Sequence, residues 1–278
     1  MKKVIFNADD YGHTHNVSRG IRETFTNGVL RSTTAMMNMP DVQEDIELLL
    51  GQCPDIGLGV HLNITTGVPL SNPSEIPTLV EENGIFHRND YYLHNIGKVN
   101  PDDVALEWGR QIEKFISCTG NTPDHLDSHH HAANFSADFF RFFLTYAEAN
   151  RCGIRCPELF DRYDLLDATP ETYQQETVER ITEMLDGTRV WYPDHFTKNF
   201  YDENSSLEGL FSILATIGDG VTEIMCHPAY SDDDLRKMSI YIEKRDIERT
   251  IIMSHELKKY LIENEIETTS FRQEMSKS

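Results

Sequence analysis

Short apolar runs alternate with longer amphipathic stretches along nearly the whole chain. The run "KVIFN" reads as a strand, and "NVSRGIRETFTNG" reads as a helix closed at Gly28, because glycine ends helices without a side-chain clash. "STTAMMNM" is rich in β-formers, and "PDVQEDIELLLGQC" opens with Pro at a helix start and closes on an apolar stripe. "DIGLGVHLNI" is the third strand. In "PDDVALEWGRQIEKFISC" the residues Val104, Trp108, Ile112 and Ile116 recur at spacings of four, which predicts a helix buried along one side. The alternation continues through the strand "HLDSHHH", the helix "SADFFRFFLTYAEAN", the strand "GIRCP" and the helix "TPETYQQETVERITEMLDG". A strand around "RVWYPDHF", a helix near "SLEGLFSILATIG", the strand "VTEIMCHPA", a long helix ending at "HELKKYLIEN" and a last strand "IETTSF" complete it.

About eight such units in 278 residues predict a parallel sheet flanked by helices. The expected fold is α/β: a single-domain (β/α) barrel, TIM-like and irregular. No Gly-rich phosphate loop follows the first strand, which counts against a dinucleotide fold. The stretch from Thr66 to Asn100 is the longest irregular one and reads as a loop or small insertion over a site, with Tyr91, Tyr92 and His94 in it. Ile251, Ile252 and Met253 on the long last helix read either as a core face or as the face of a homodimer.

The polar residues fall in phase with this pattern. Asp9 and Asp10 end the first strand, His61 lies in the third, and a histidine cluster follows the fourth. Arg155 follows the fifth, Asp194 and His195 the sixth, and His227 the seventh. In a barrel the C-terminal strand ends converge on one mouth, where active sites form.

A net charge of −21 argues against a nucleic-acid partner, since a face for phosphates needs clustered Lys and Arg, and against an anionic membrane surface. No run reaches the roughly 18 apolar residues of a membrane span. The N-terminus turns acidic too early for a secretory signal, and five cysteines without a regular pattern suit a reduced, cytoplasmic protein.

"DHLDSHHH" holds four histidines and two aspartates in eight residues. In an extended chain His125, Asp127, His129 and His131 share one face, more donors than one ion needs, so some would hold a ligand tautomer or the substrate. A solvated surface is the alternative. "NADD" supplies two adjacent carboxylates that leave a strand on opposite sides and so take different jobs, unless they merely end a strand at the Gly12 turn. His61 alone would read as a core histidine. One Asp with two His is a ligand set for a divalent ion with open positions, which lowers the pKa of water and polarises a carbonyl. A carboxylate alongside takes a proton, and His227 is the natural acid, unless it caps the turn before Pro228. These parts describe metal-assisted hydrolysis.

The segments "NADDYG", "GVLRSTTAMMN", "GLGVHLN", "DHLDSHHH", "GIRCP" and "EIMCHPAY", in this order over nearly the whole chain, resemble the YdjC-like carbohydrate deacetylases, the family of the chitooligosaccharide (diacetylchitobiose) deacetylases. The resemblance implies an irregular barrel, one divalent metal ion (Mg or Zn, with Co and Ni tolerated) and removal of acetyl from an N-acetylated sugar. It implies Asp10, His61 and His129 as metal ligands, Asp9 as base, His227 as acid and Arg155 as the group that tunes Asp9. Tyr11, His125, Asp127, His131 and Asp194 are the candidate substrate contacts. His13 and His15 depart from the family's usual Leu-Ser turn. A metal-dependent sugar isomerase or epimerase on a similar barrel is the rival reading.

Overall fold

The computed structural model describes residues 1–156 and 171–277. Pro157, expected to end the fifth strand, and the expected helix start at Thr169 and Pro170 lie outside the described residues. Eight strands form among the described residues: β1 Lys2–Tyr11, β2 Ser32–Ala35, β3 Gly57–Leu62, β4 His125–Ser128, β5 Gly153–Ile154, β6 His195–Thr197, β7 Gly220–Cys226 and β8 Ile266–Thr268. They run in the order β5-β4-β3-β2-β1-β7-β6, with β8 added to the start of β1, and every pairing is parallel. Among the described residues no ladder pairs β5 with β6, and Ile154 N–H donates to the Trp191 carbonyl at 3.1 Å. The fold is thus the irregular (β/α) barrel that the alternation predicts, and this seam is its irregularity.

The helices are α1 His15–Asn27, α2 Val42–Gln52, α3 Asn89–Asn95, α4 Pro101–Thr119, α5 Ala137–Asn150 and α6 Glu171–Gly187. After them come α7 Leu207–Thr216, α8 Asp233–Met238, α9 Glu243–Met253, α10 His255–Glu263 and α11 Phe271–Met275. Their ends follow the sequence. Thr14 Oγ1 caps α1 by accepting Val17 N–H at 3.2 Å, and Asn100 caps α4, which has Pro in its first turn. α4 buries Val104, Trp108, Ile112 and Phe115, whereas Ile116 is 37% exposed. Spacings of four overrun the helical repeat by about 40° a step, so by the fourth member the stripe has drifted off the core and the residue before it takes over.

The long last helix is two helices, because Ser254 leaves helical geometry and caps α10 by accepting Leu257 N–H at 3.1 Å. Ile251 and Ile252 are buried in the core, so this face packs inward. Residues 66–100 hold an isolated bridge, Val80 to Phe86, and α3. Tyr92 is buried there with its hydroxyl on the Ile64 carbonyl at 2.7 Å and its ring 5.9 Å from Phe135, so it ties this stretch to the barrel, while His87 stacks on Tyr91 at 3.6 Å within it. No helix among the described residues is long and apolar enough to cross a membrane.

Among the described residues an extended core of strand and helix side chains holds the barrel, with a second, small cluster of Ile5, Val221 and Phe271 beside it. Gly20 lets α1 lie against the turn after β7: a Cβ there would sit 2.7 Å from Ala229 Cα. That contact fixes the turn that carries His227.

Candidate active site

The barrel interior is polar toward the C-terminal strand ends. Asn7 and Asp9 project from one face of β1, as alternation requires. Asn7 Nδ2 donates to Asp9 Oδ1 at 3.1 Å and Asp127 Oδ2 at 3.3 Å, and its Oδ1 faces His125 Nε2 at 3.0 Å. The ladder between β1 and β2 slips between Ala8 and Tyr11, and Asp10 takes a left-handed φ of 70°. Strand irregularities of this kind re-aim side chains beside active sites. Here the slip turns both carboxylates toward His61, where plain strand alternation predicts opposite sides.

Arg155, just after β5, grips Asp9 with two bonds of 2.7 Å each. Its Nε donates to Glu223 on β7 at 2.8 Å, and its Nη1 lies 3.1 Å from Asp127. All four side chains are buried. Burial disfavours charge on Asp9, but the Arg155 guanidinium outweighs it and holds the carboxyl far below the usual range. Burial dominates at Glu223, pushing it up to about 7 against the pull of Arg155.

Asp10 has different partners. Arg245, from the first turn of α9, donates Nη2 to Asp10 Oδ2 at 2.7 Å and Nε to the Tyr241 carbonyl at 2.9 Å. Asp10 Oδ1 is buried and accepts no hydrogen bond among the described residues. It faces His61 Nε2 at 3.4 Å and His129 Nε2 at 3.9 Å. The other nitrogens of both rings are engaged: His61 Nδ1 with Asp127 Oδ1 at 2.7 Å, His129 Nδ1 with Thr65 Oγ1 at 2.8 Å. With Nδ1 so held, each ring would offer Nε2 to a cation that displaces its proton. Burial opposes charge on His61, yet Asp127 and Asp10 raise it to about 10, so this spot attracts a cation.

A second donor set overlaps the first. Ligand atoms of Asp9, His61 and Asp127 lie within 4.8 Å of one another and could hold a metal ion. Both Asp9 oxygens and both Asp127 oxygens already have partners: Arg155 and Asn7 for the former, His61, Thr34, Asn7 and Arg155 for the latter.

His227 follows β7 directly. Its backbone N–H donates to Glu248 of α9 at 2.5 Å, its ring lies 5.7 Å from the rings of Tyr201 and Tyr241, and its Nδ1 is buried without a partner among the described residues. Burial holds it neutral, down to about 4.

The expected substrate contacts divide. His131 is half-buried, 5.9 Å from the Phe196 ring, on the same side as Asp9 and Arg155, whose charges it feels. Asp127 is buried behind His61 as its hydrogen-bond partner. Tyr11 is in the core, its hydroxyl donating to the Asp45 carbonyl at 2.5 Å and accepting from Arg22 at 2.9 Å. His125 is fully buried and stacked on Phe271 at 3.9 Å, with Asp124 and Asn7 on its nitrogens. Asp194 precedes β6 and accepts Val221 N–H at 2.7 Å, beside the first residues of β7, at the end opposite the mouth. The sixth strand begins later than its aromatic residues suggest, which moves Asp194 from its end to its start. The fourth strand stops at Ser128, because His130 and His131 take left-handed φ of 52° and 55°. The one-face alternation therefore covers His125 and Asp127 but not His129 and His131.

Residues 3–263 match the family model described as YdjC-like protein. The chain belongs to the YdjC-like family. Within reach of this YdjC-like chain, a protein of Thermoanaerobacter pseudethanolicus called carbohydrate deacetylase is 36% identical over 271 residues, 98% of each chain. Carbohydrate deacetylase 1 of Listeria innocua is 33% identical, covering 97% of this chain and 99% of its own. Among solved structures, one from Enterococcus faecalis V583, described as a cellobiose-phosphate cleavage protein, superposes with a TM-score of 0.83 at 31% identity over 98% of both chains.

Proposed function

We propose that this YdjC-like protein is a metal-dependent carbohydrate deacetylase, a hydrolase that removes the acetyl group from an N-acetylated sugar such as a chitooligosaccharide (diacetylchitobiose) and releases acetate. The relatives' names support the deacetylase activity. The observation that carries the metal reading is the buried Asp10 Oδ1, without a donor among the described residues and turned toward two imidazole Nε2 atoms whose other nitrogens are engaged. Asp10, His61 and His129 would hold the ion. The Asp9, His61 and Asp127 set is disfavoured because an ion there displaces Arg155 or Asn7. One carboxylate with two imidazoles suits zinc, cobalt or nickel, and magnesium with its own waters. A bound divalent ion would supply Lewis acidity toward the acetamide carbonyl and toward water.

The remaining chemistry falls to the chain. We assign Asp9 as proton acceptor for the attacking water: Arg155 keeps it ionised and fixed in direction. A carboxyl held this acidic keeps a proton only briefly and hands it on. We assign His227 as the donor to the amine nitrogen when the new C–O bond has formed and the C–N bond breaks. It is neutral in the free protein, so it takes up its proton in the substrate complex, favoured by the charges of Asp10 and Asp9. Tyr201, stacked on Tyr241 at 4.1 Å beside His227 and 40% exposed, offers a sugar ring a flat apolar face.

The test is acetate release from diacetylchitobiose and a panel of N-acetylated mono- and disaccharides, with EDTA-treated protein and after adding each metal. Metal-restored acetate from any of them is the expected result. Silence across the panel with the ion bound would overturn the deacetylase reading and favour the isomerase.

A further inference from the structure

Glu248 belongs to none of the roles assigned so far, yet it is fully buried beside His227. It follows Arg245 by three residues along α9, so the two side chains share one face of the helix. A buried carboxyl is costly unless its oxygens are met, so its partners show what it is for. Oε2 accepts the His227 N–H at 2.5 Å. Oε1 accepts the Tyr241 hydroxyl and, more loosely, Ser205 Oγ at 3.4 Å. The Tyr241 hydroxyl oxygen also accepts Asp202 N–H at 3.2 Å and lies 2.7 Å from Ser205 Oγ.

One side chain therefore joins two parts of the mouth. The first is the turn that carries the proton donor. Pro228 has no N–H, and Ala229 donates its own to the Arg245 carbonyl at 3.1 Å, so the bond to Glu248 is the one that His227 itself makes with α9. The second is the aromatic face. Tyr201 stacks on Tyr241 at 4.1 Å and opens the segment to Ser205, which the Tyr241 hydroxyl holds at Asp202 and Ser205.

We propose that Glu248 is a positioning residue that fixes His227 and the Tyr201–Tyr241 face relative to each other, and so seats the sugar ring against the group that protonates its nitrogen. This rests on the deacetylase reading above. Proton transfer requires heavy atoms about 2.6–3.2 Å apart, and a misplacement of about 1 Å costs on the order of 100-fold in rate. The work is done by hydrogen bonds and not by charge. Glutamine at this position keeps an acceptor oxygen for the His227 N–H and gives the Tyr241 hydroxyl an N–H, while the Tyr241 proton turns to Ser205 Oγ. Leucine keeps neither bond.

The experiment is steady-state acetate release by the metal-loaded wild type, Glu248→Leu, Glu248→Gln and Tyr241→Phe, on the acetylated sugar that the wild type hydrolyses, with Tm and circular dichroism for each. Glu248→Leu is expected to lower kcat by about 10–100-fold and to raise KM several-fold, whereas Glu248→Gln keeps both within about threefold of the wild type. Tyr241→Phe loosens only the aromatic arm and is expected to raise KM by more than it lowers kcat. Should the leucine protein not fold, Glu248→Asp, one methylene too short to span both partners, takes its place with the same direction expected. A folded Leu or Asp variant with lowered Tm but unchanged kcat and KM would overturn the positioning role and leave the deacetylase reading intact. Glu248→Gln falling as far as Glu248→Leu would overturn it too, since charge would then be what matters. A wild type silent on every acetylated sugar would overturn both.

Discussion

Replacing Arg155 by Met removes one charge from a cluster of three buried carboxylates while filling a similar volume. The guanidinium is 4% exposed, bonds Asp9 twice at 2.7 Å and Glu223 at 2.8 Å, and sits 3.1 Å from Asp127. Removing one partner of a buried ion pair costs about 3–5 kcal/mol because the other charge stays uncompensated. With three carboxylates left behind, the upper part of that range is expected at pH 8. The sign with pH follows from Asp9. In the wild type its folded value is depressed, so its stabilisation is present above about pH 4 and lost as pH falls through the folded value. In the variant the largest opposing influence is gone and burial raises Asp9 against the weaker pull of His61 and His227, so stability is present at low pH and lost as pH rises. The difference between the two proteins therefore grows from pH 5.5 to pH 8. Urea unfolding in EDTA at these two pH values measures it. A loss below about 1 kcal/mol at pH 8, or one equal at both pH values, would refute the account of Arg155 as counter-charge to a buried cluster.

Gly12 has φ of 87°, and a Cβ there would lie 2.6 Å from Val42 Cγ2, so Gly12→Ala is expected to cost about 2–4 kcal/mol, read as a fall in Tm. Asp10→Asn, which also leaves Arg245 without its buried counter-charge, is expected to lower Tm and to lose the bound ion, measured as metal content after dialysis. Glu248 is fully buried and pushed up to about 7 by burial, so its contribution is present below about pH 4.5 and lost as pH rises through 7. Replacing it by Gln should remove up to about 3 kcal/mol of that pH dependence from the unfolding free energy, and equal slopes for the two proteins would contradict it.

Much of this was legible in the sequence because it is local. The alternation gives the parallel sheet, and the strand-end phase gives Asp9, Asp10, His61, Arg155 and His227. Single-strand reasoning fails where the backbone departs from its period. The slip at Asp10 turns two neighbours inward, and the left-handed residues His130 and His131 end a strand that the histidines extend on paper. Partners from distant elements leave little trace. Glu223 had a signal, a charge inside the apolar strand "VTEIMC", whereas Arg245 and Glu248 look like ordinary polar residues of an amphipathic helix. Only tertiary packing brings them to Asp10 and His227.

The central claim is that a divalent ion sits among Asp10, His61 and His129. A crystal of the zinc-loaded protein, with anomalous data collected across the zinc edge, tests it most directly. The account predicts a single strong peak about 2.0–2.2 Å from Asp10 Oδ1, His61 Nε2 and His129 Nε2. A peak held instead by Asp9 and Asp127, with Arg155 displaced, would contradict it.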